Sequence, residues 1–326
     1  MPLETQLGVK AESTWGTAVV VDRFFEFNSE SIKMETGRVE SNALRSGQRV
    51  QRNDRFTPYI KGAAGSIELD VLSKGHGWWL EQCMGAVATG SITDSTYTHT
   101  GTFGSLLAQG FTLQVNRPLH PAGTDQAFTY EGGKVAKWGL KCDVEGNLVF
   151  TADLVFETGV TATALASASY PTSMENLSWA GGAITVGGSS VGVTSFSMEV
   201  DLGLDTARHK IQPSTLRQEP VEAKNREITF SLTADFESLT QYNRVISTTR
   251  SGALAAIVAT WTAPTLAGTT TYPELEITID SARFDDISDA NVSGTDPLMQ
   301  TLTGRGLYDG SDSPVTVAYV SVDSTP

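Results

Sequence analysis

The most constraining feature of this sequence is a single order of elements that appears twice, once in each half. In the first half Ile32 and Met34 alternate with Lys33 and Glu35, the period of a half-buried strand. A polar stretch runs from Arg38 to Gly62, and a second alternation follows in Ser66-Ile67-Glu68-Leu69-Asp70-Val71. The spacing of Trp79, Leu80, Cys83 and Met84 then predicts a short helix over Gly77–Met84, with Gly85 as its stop. The second half repeats the order. Phe196, Met198, Val200 and Leu202 alternate with Ser197, Glu199 and Asp201. A polar stretch from Asp205 to Asn225 leads to Ile228, Phe230 and Leu232, which alternate with Thr229, Ser231 and Thr233. A helix is predicted from an N-cap at Ser238, with Leu239, Tyr242 and Ile246 on one face.

Further strands close each half: Phe111–Val115, Val135–Val144 and Leu148–Phe156 in the first, and Ala256–Trp261, Leu275–Ile279, Met299–Gly304 and Val315–Val320 in the second. The Ala/Thr/Ser-rich segment 159–173 reads as the connection between them. The expectation is an all-β chain, mainly antiparallel, built as a sandwich or partial barrel with one short helix per domain. Residues 1–160 and 174–326 form two tandem domains in this reading, and 161–173 form the linker.

The two polar stretches are longer than the ~12–15 residues at which an unstructured loop becomes unusual. The first carries Arg38, Arg45, Arg49, Arg52, Arg55 and Lys61 against Glu40 and Asp54, a local +4. The second carries Arg208, Lys210, Arg217, Lys224 and Arg226 against Glu219 and Glu222, a local +3. Taking this +7 from the formal charge of −14 leaves −21 on the rest. Basic arms on an acidic body suit a subunit that attracts copies of itself. The bland alternative for each arm is a solvated Arg-rich loop.

No chemistry announces itself. His76, His99, His120 and His209 have no metal-ligand spacing and read as lone surface histidines. There is no G-x-S-x-G, H-E-x-x-H, Walker or G-x-G-x-x-G motif. Asp289-Ala-Asn291-Val-Ser293-Gly294 fits the first half of a calcium loop, but Gln300 stands where the bidentate Glu belongs, so an Asx-rich turn is preferred. Glu68/Asp70 and Glu199/Asp201 each share a strand face, the spacing of a glycosidase pair but more often of a wet sheet face. Cys83 and Cys142, too few for a disulfide framework, read as buried free thiols. No cofactor, metal or enzymatic activity is expected. With no basic-then-apolar leader and no apolar run near ~18 residues, the expectation is a soluble chain folding in a reducing cytoplasm, with no membrane partner.

Several short stretches, spread over nearly the whole chain, carry a family resemblance. They are Gly8-Val9-Lys10-Ala11-Glu12-Ser13-Thr14-Trp15-Gly16-Thr17-Ala18, Phe25-Glu26-Phe27-Asn28-Ser29-Glu30-Ser31, Ile67-Glu68-Leu69-Asp70-Val71-Leu72 with Lys74-Gly75, and Tyr97-Thr98-His99-Thr100. Ala168-Ser169-Tyr170-Pro171, Leu239-Thr240-Gln241-Tyr242-Asn243-Arg244 and Ala282-Arg283-Phe284-Asp285 complete the set. In these the chain resembles the tail tube proteins of siphophages of Gram-positive, especially actinobacterial, hosts. The resemblance implies a virion protein assembled in the host cytoplasm, with partners in itself, the tape measure and terminator proteins, and double-stranded DNA that passes without specific binding. It also implies an inner sheet that joins its neighbours' into a ring-shaped barrel, and a long hairpin or loop that reaches the adjacent ring. The two basic arms occupy that element's place.

The ring geometry bears on chain number. With about four strands per domain, six domains give about 24 strands and, at ~4.8 Å spacing and ~45° tilt, a backbone circle roughly 50 Å across. Side chains leave on the order of 40 Å, room for a duplex about 20 Å wide, whereas three domains leave roughly 16 Å. Two domains per chain therefore favour a trimer with pseudo-sixfold symmetry, and a hexamer is the alternative if only one half lines the bore. In the strand pattern Glu68, Asp70, Glu199 and Asp201 share the face opposite the apolar residues, which makes them the lumen-lining candidates. The competing readings are another tail or injection-tube component, such as a tail terminator or a contractile-system inner tube, and a secreted carbohydrate-binding β protein. The last calls for a signal peptide and clustered exposed aromatics.

Overall fold

The computed structural model describes residues 4–92, 95–120, 123–246, 254–287, 292 and 297–326. In the first half lie β1 (Leu7–Ala11), β2 (Arg23–Phe25), β3 (Ser29–Glu30), β4 (Lys33–Glu40), β5 (Phe56–Asp70), α1 (Gly77–Met84), β6 (Gly85–Ser91), β7 (Tyr97–Phe103), β8 (Phe111–Asn116), β9 (Ala127–Asp143), β10 (Val149–Phe156) and β11 (Thr158–Val160). In the second lie β12 (Gly182–Val186), β13 (Ser189–Ser190), β14 (Val193–Asp201), β15 (Leu204–Asp205), β16 (Val221–Glu222), β17 (Glu227–Asp235), α2 (Leu239–Val245), β18 (Ala255–Thr262), β19 (Glu274–Ile287), β20 (Met299–Gly306) and β21 (Val315–Ser321).

A run of eight antiparallel strands crosses the chain in the order β4–β5–β10–β9–β14–β17–β20–β19. The first four come from one half and the last four from the other, and the internal order is the same in both. Among the register shifts of each half, one falls at the matching place, skipping Ala136 in β9 and Asp285 in β19. A bulge bends its strand and sharpens the local twist. Beyond the bulges β9 pairs with β8 and β11, and β19 pairs with β18 and β21, so each long strand passes from the eight-strand run into a second sheet packed on it.

Period-two patterning places the core between these layers. Ile67, Leu69, Phe150, Trp138 and Leu140 point inward from the first half of the run, and Phe196, Met198, Val200, Phe230 and Leu232 from the second. Phe156 meets Phe111 and Tyr130 of the covering sheet at centroid distances of 5.8 and 5.3 Å, and Phe196 meets Trp261 of β18 at 5.3 Å. α1 forms over the predicted residues and is buried at every position except Glu81, because Trp78, Trp79, Leu80, Cys83 and Met84 are apolar nearly all round. Gly85 ends it in the left-handed region at φ 80°. α2 begins at the expected cap, where Ser238 Oγ accepts from the Thr240 N–H at 3.3 Å. Its expected apolar face is packed only in part: Tyr242 is half-buried, Leu239 and Ile246 are more than half exposed, and Gln241 is the buried residue. Two turns of helix leave room for little more than contact with β19.

The two halves are bound by more than the peptide connection. β9 and β14 pair over seven residues, Lys137↔Asp201 to Asp143↔Ser195. β21 pairs with β7 of the first half, and the Tyr319 hydroxyl donates to the Leu72 carbonyl at 2.8 Å. Segment 161–173 has no strand or helix, yet it lies against the first half: Gln114 Nε2 donates to the Ala164 carbonyl at 3.1 Å and Gln6 Nε2 to that of Ala166 at 2.7 Å.

Candidate assembly surfaces

Three features of the chain are suited to contact with other molecules: the wet face of the eight-strand run, the two arms, and the unpaired edges of the run. On the wet face one row of neighbouring residues traverses the whole chain: Glu68–Thr151–Gly139–Glu199–Thr229–Arg305–Arg283. The flanking rows hold Asp70 beside Val149 and Lys141, and Asp201 between Lys137 and Glu227. All four lumen-lining candidates therefore lie on one face of one sheet, though in three rows. The face is concave around Gly139, Glu199, Thr229 and Ser231.

Its charge is mixed, with carboxylates in excess. Lys137 Nζ lies 3.3 Å from Asp201 and 3.5 Å from Glu199, and Lys141 lies 2.6 Å from Asp143. Arg305 bridges Glu227 and Asp285 at 3.3 Å each. The bond from Asp201 raises the Lys137 ammonium, and that from Lys141 lowers the Asp143 carboxyl. Asp153 is raised, mainly by burial, against the opposing effect of Lys137. Asp70 accepts from Asn28 Nδ2 at 2.9 Å and Asn147 Nδ2 at 2.8 Å. Exposed pairs of this kind are each worth under about 1 kcal/mol. The face is thus a polar, Thr/Ser-rich wall with surplus negative charge.

The first arm is more ordered than a loop. β4 and β5 continue as a two-stranded hairpin to Glu40↔Phe56, beyond the last three-stranded position at Ala63↔Phe156. The seven residues 56–62 of β5 outside that position reach about 23 Å at ~3.3 Å per residue. Gly62 marks the exit at φ 151°, where a Cβ would lie 2.7 Å from the Phe156 carbonyl oxygen. Arg45, Arg49 and Arg55 are exposed, Arg52 pairs with Asp54 at 2.5 Å, Arg38 pairs with Glu40, and Lys61 lies over the Tyr59 ring at 6.0 Å.

The second arm folds back on the first half. Arg217 is 5% exposed and donates at 2.9 Å to the carbonyls of Ala63 and Phe156 and to the Glu35 carboxylate. Buried Lys134 donates to Glu219 at 2.8 Å, and burial lowers its ammonium. Arg208 Nη1 donates to the Glu219 carbonyl at 2.9 Å, and Arg226 packs over the Phe103 ring at 4.8 Å while bonding Gly104 and Glu222. Arg217 and Arg226, expected from their charge to project, thus work inside the chain. The acceptors that hold Arg217, two carbonyls and Glu35, lie far away in sequence. Lys210 and Lys224 remain exposed. Replacing Arg217 by Ala strands Glu35 and two carbonyls, a cost of about 2 kcal/mol after allowing for the partial exposure of Glu35. The melting temperature should fall by about 4–8 °C in calorimetry, and an unchanged value would show that the arm is not held there.

The sequence left unread what else the first arm exposes. Leu44 is 101% and Val50 83% exposed, and Val39, Phe56 and Ile60 are also bare. These apolar residues stand in an otherwise polar stretch, which was the available signal.

At the edges of the run, β4 pairs only with β5, and β19 from Arg283 onward only with β20, among the described residues. The matching edge of β9 is the one that β14 covers. Open edges of this kind invite pairing with another chain.

Among the described residues no three His, Cys, Asp or Glu are placed to hold a metal. His120 and His209 are exposed, but His76 and His99 are buried, contrary to the surface reading. Burial against Phe150 pushes His76 down to about 3, and His99 bonds Thr89 Oγ1 and the Asp323 carbonyl, each at 2.9 Å. Cys83 and Cys142 are buried free thiols, as expected. The partial calcium loop at Asp289 and Asn291 lies outside the described residues.

A sheet with edges open among the described residues, a polar concave face and a projecting hairpin suits a structural, assembly-forming β protein. The chain belongs to the phage tail tube protein family, whose model matches residues 2–306. It is a structural component of the phage tail tube and hence of the virion tail. No curated protein matches it.

Proposed function

We propose that three chains close a ring of pseudo-sixfold symmetry, that such rings stack into the tail tube, and that the chain catalyses no reaction. The observation that carries this reading is the β9–β14 junction. It joins two like-ordered, four-stranded halves edge to edge, with Trp138, Leu140 and Cys142 beside Val200, Met198 and Phe196 on the core side. The matching free edges, β19 on one chain and β3–β4 on the next, repeat that junction between chains. Eight strands per chain then supply about 24 in the ring, which encloses a bore on the order of 40 Å.

In this arrangement residues 1–160 and 174–326 act as two tandem copies of one tube domain. The wet face with Glu68, Asp70, Glu199 and Asp201 lines the bore, and DNA passes it without specific binding. Arg38, Arg45, Arg49, Arg52, Arg55 and Lys61, with Arg208, Lys210 and Lys224 of the shorter arm, meet the adjacent ring. Assembly takes place in the host cytoplasm, and the tape measure and terminator proteins meet the tube inside and at its end. Native mass spectrometry of the smallest closed species should give three chains. Six would favour the hexamer, with one half of each chain on the bore.

A further inference from the structure

The arm leaves the run at one end of its strands, and a groove lies at the other. There the β9–β10 turn meets the β12–β13 hairpin and the start of β14: Val144 N–H donates to the Thr194 carbonyl at 3.1 Å, and Trp179 N–H to that of Gly146 at 3.0 Å. The groove, about 410 Å³, is lined by Val144, Trp179, Ile184, Val191, Val193 and Phe196. Trp179 and Val144 are about half exposed, a large apolar rim for a surface that none of the described residues covers. Asp143, half-buried and paired with Lys141 at 2.6 Å, lines the groove, and Glu145 in the adjoining turn is exposed.

The arm tip is the complement. Gln48 N–H donates to the Arg45 carbonyl at 3.2 Å, and Gly47 adopts φ 80°, so a tight turn sets Arg45 beside Arg49 and leaves Leu44 and Val50 on its two sides. Two bare apolar side chains flanking two arginines match an apolar groove beside an exposed carboxylate, Glu145. The tip and the groove occupy opposite ends of the strands, so one chain cannot satisfy its own groove, whereas a chain in a stacked ring presents the tip to it.

We propose that Leu44 and Val50 of the arm seat in the groove between the β9–β10 turn, β12–β13 and β14 of a second copy of this chain in the adjacent ring, with Arg45 and Arg49 against Glu145. The inference rests on the ring-stacking reading above and adds the receiving surface and its apolar anchors to it. One such contact is small, and its strength comes from three acting together between two rings.

The test keeps every arginine and removes only the anchors, as Leu44→Ser with Val50→Ser. Because the Leu44 and Val50 side chains are bare, the melting temperature should not change, while tube length by electron microscopy should fall at least tenfold. A second variant, Leu44→Cys with Ala183→Cys on the exposed groove wall, should form a disulfide between chains on oxidation of tubes and none in dispersed subunits. Tubes of normal length from the serine variant, or tubes of the cysteine variant that give no cross-link, would overturn the proposal. The Arg45, Arg49, Arg52 and Arg55 to Glu variant separates the two ideas. If it fails to elongate while the serine variant elongates, the arm still stacks rings but not through this groove. If both elongate, both ideas fall.

Discussion

Replacing Arg45, Arg49, Arg52 and Arg55 with Glu should yield folded, soluble subunits or single rings that do not elongate. The change turns the first arm from +4 to −4 and sets it against a body that is itself acidic. Three of the four arginines form no ion pair among the described residues, and the fourth, Arg52, pairs with Asp54. Little folding energy is therefore at stake, and the melting temperature should hold within about 2 °C. In the unmodified protein elongation should weaken with salt, because the screening length shrinks from about 10 Å at 0.1 M to about 3 Å at 1 M. Tube length by electron microscopy at both salt concentrations checks this. Normal tubes from the variant in either condition would show that the arm does not hold ring to ring.

The second large effect concerns passage of DNA. Changing Glu68, Asp70, Glu199 and Asp201 to Lys should leave assembly intact, since these residues lie on the wet face, the pairs of Glu199 and Asp201 with Lys137 are weak, and Asp70 gives up only its bonds from Asn28 and Asn147. It reverses the charge of the wall in every ring. A negative wall keeps DNA hydrated and off the surface, whereas lysines release counterions and make it adhere. Ejection should slow at least tenfold or stall, and raising the salt should restore it, because phosphate contacts weaken steeply with salt. Ejection from particles carrying the variant tubes, followed by DNA-dye fluorescence, gives the rate. A normal rate would place this face somewhere other than the bore.

Much of the fold was legible because its signals are local. Ile67 and Leu69 against Glu68 and Asp70 announce a strand with one wet face, and Gly85 announces the end of α1. The face shared by Glu68, Asp70, Glu199 and Asp201 follows from the same parity, because pairing through β10 and β9 preserves it from one half to the other. What could not be read is set by partners distant in sequence. Nothing local to Arg217 reveals that Glu35 and the Phe156 carbonyl await it, so a buried clamp looked like an exposed charge. His76 and His99 sit in polar-looking stretches, and only the packing of Phe150 and Tyr319 removes them from water. The strands of the first arm were hidden because a two-stranded hairpin with no buried face has no apolar alternation to show.

Cryo-electron microscopy of tubes grown from the purified chain tests the edge-to-edge ring most directly. The expected map shows three chains per ring, a continuous wall of about 24 strands, and β19 of each chain paired with β3–β4 of the next as β14 pairs with β9 within one chain. A ring of six chains, or a wall in which β14 has left β9, would contradict it.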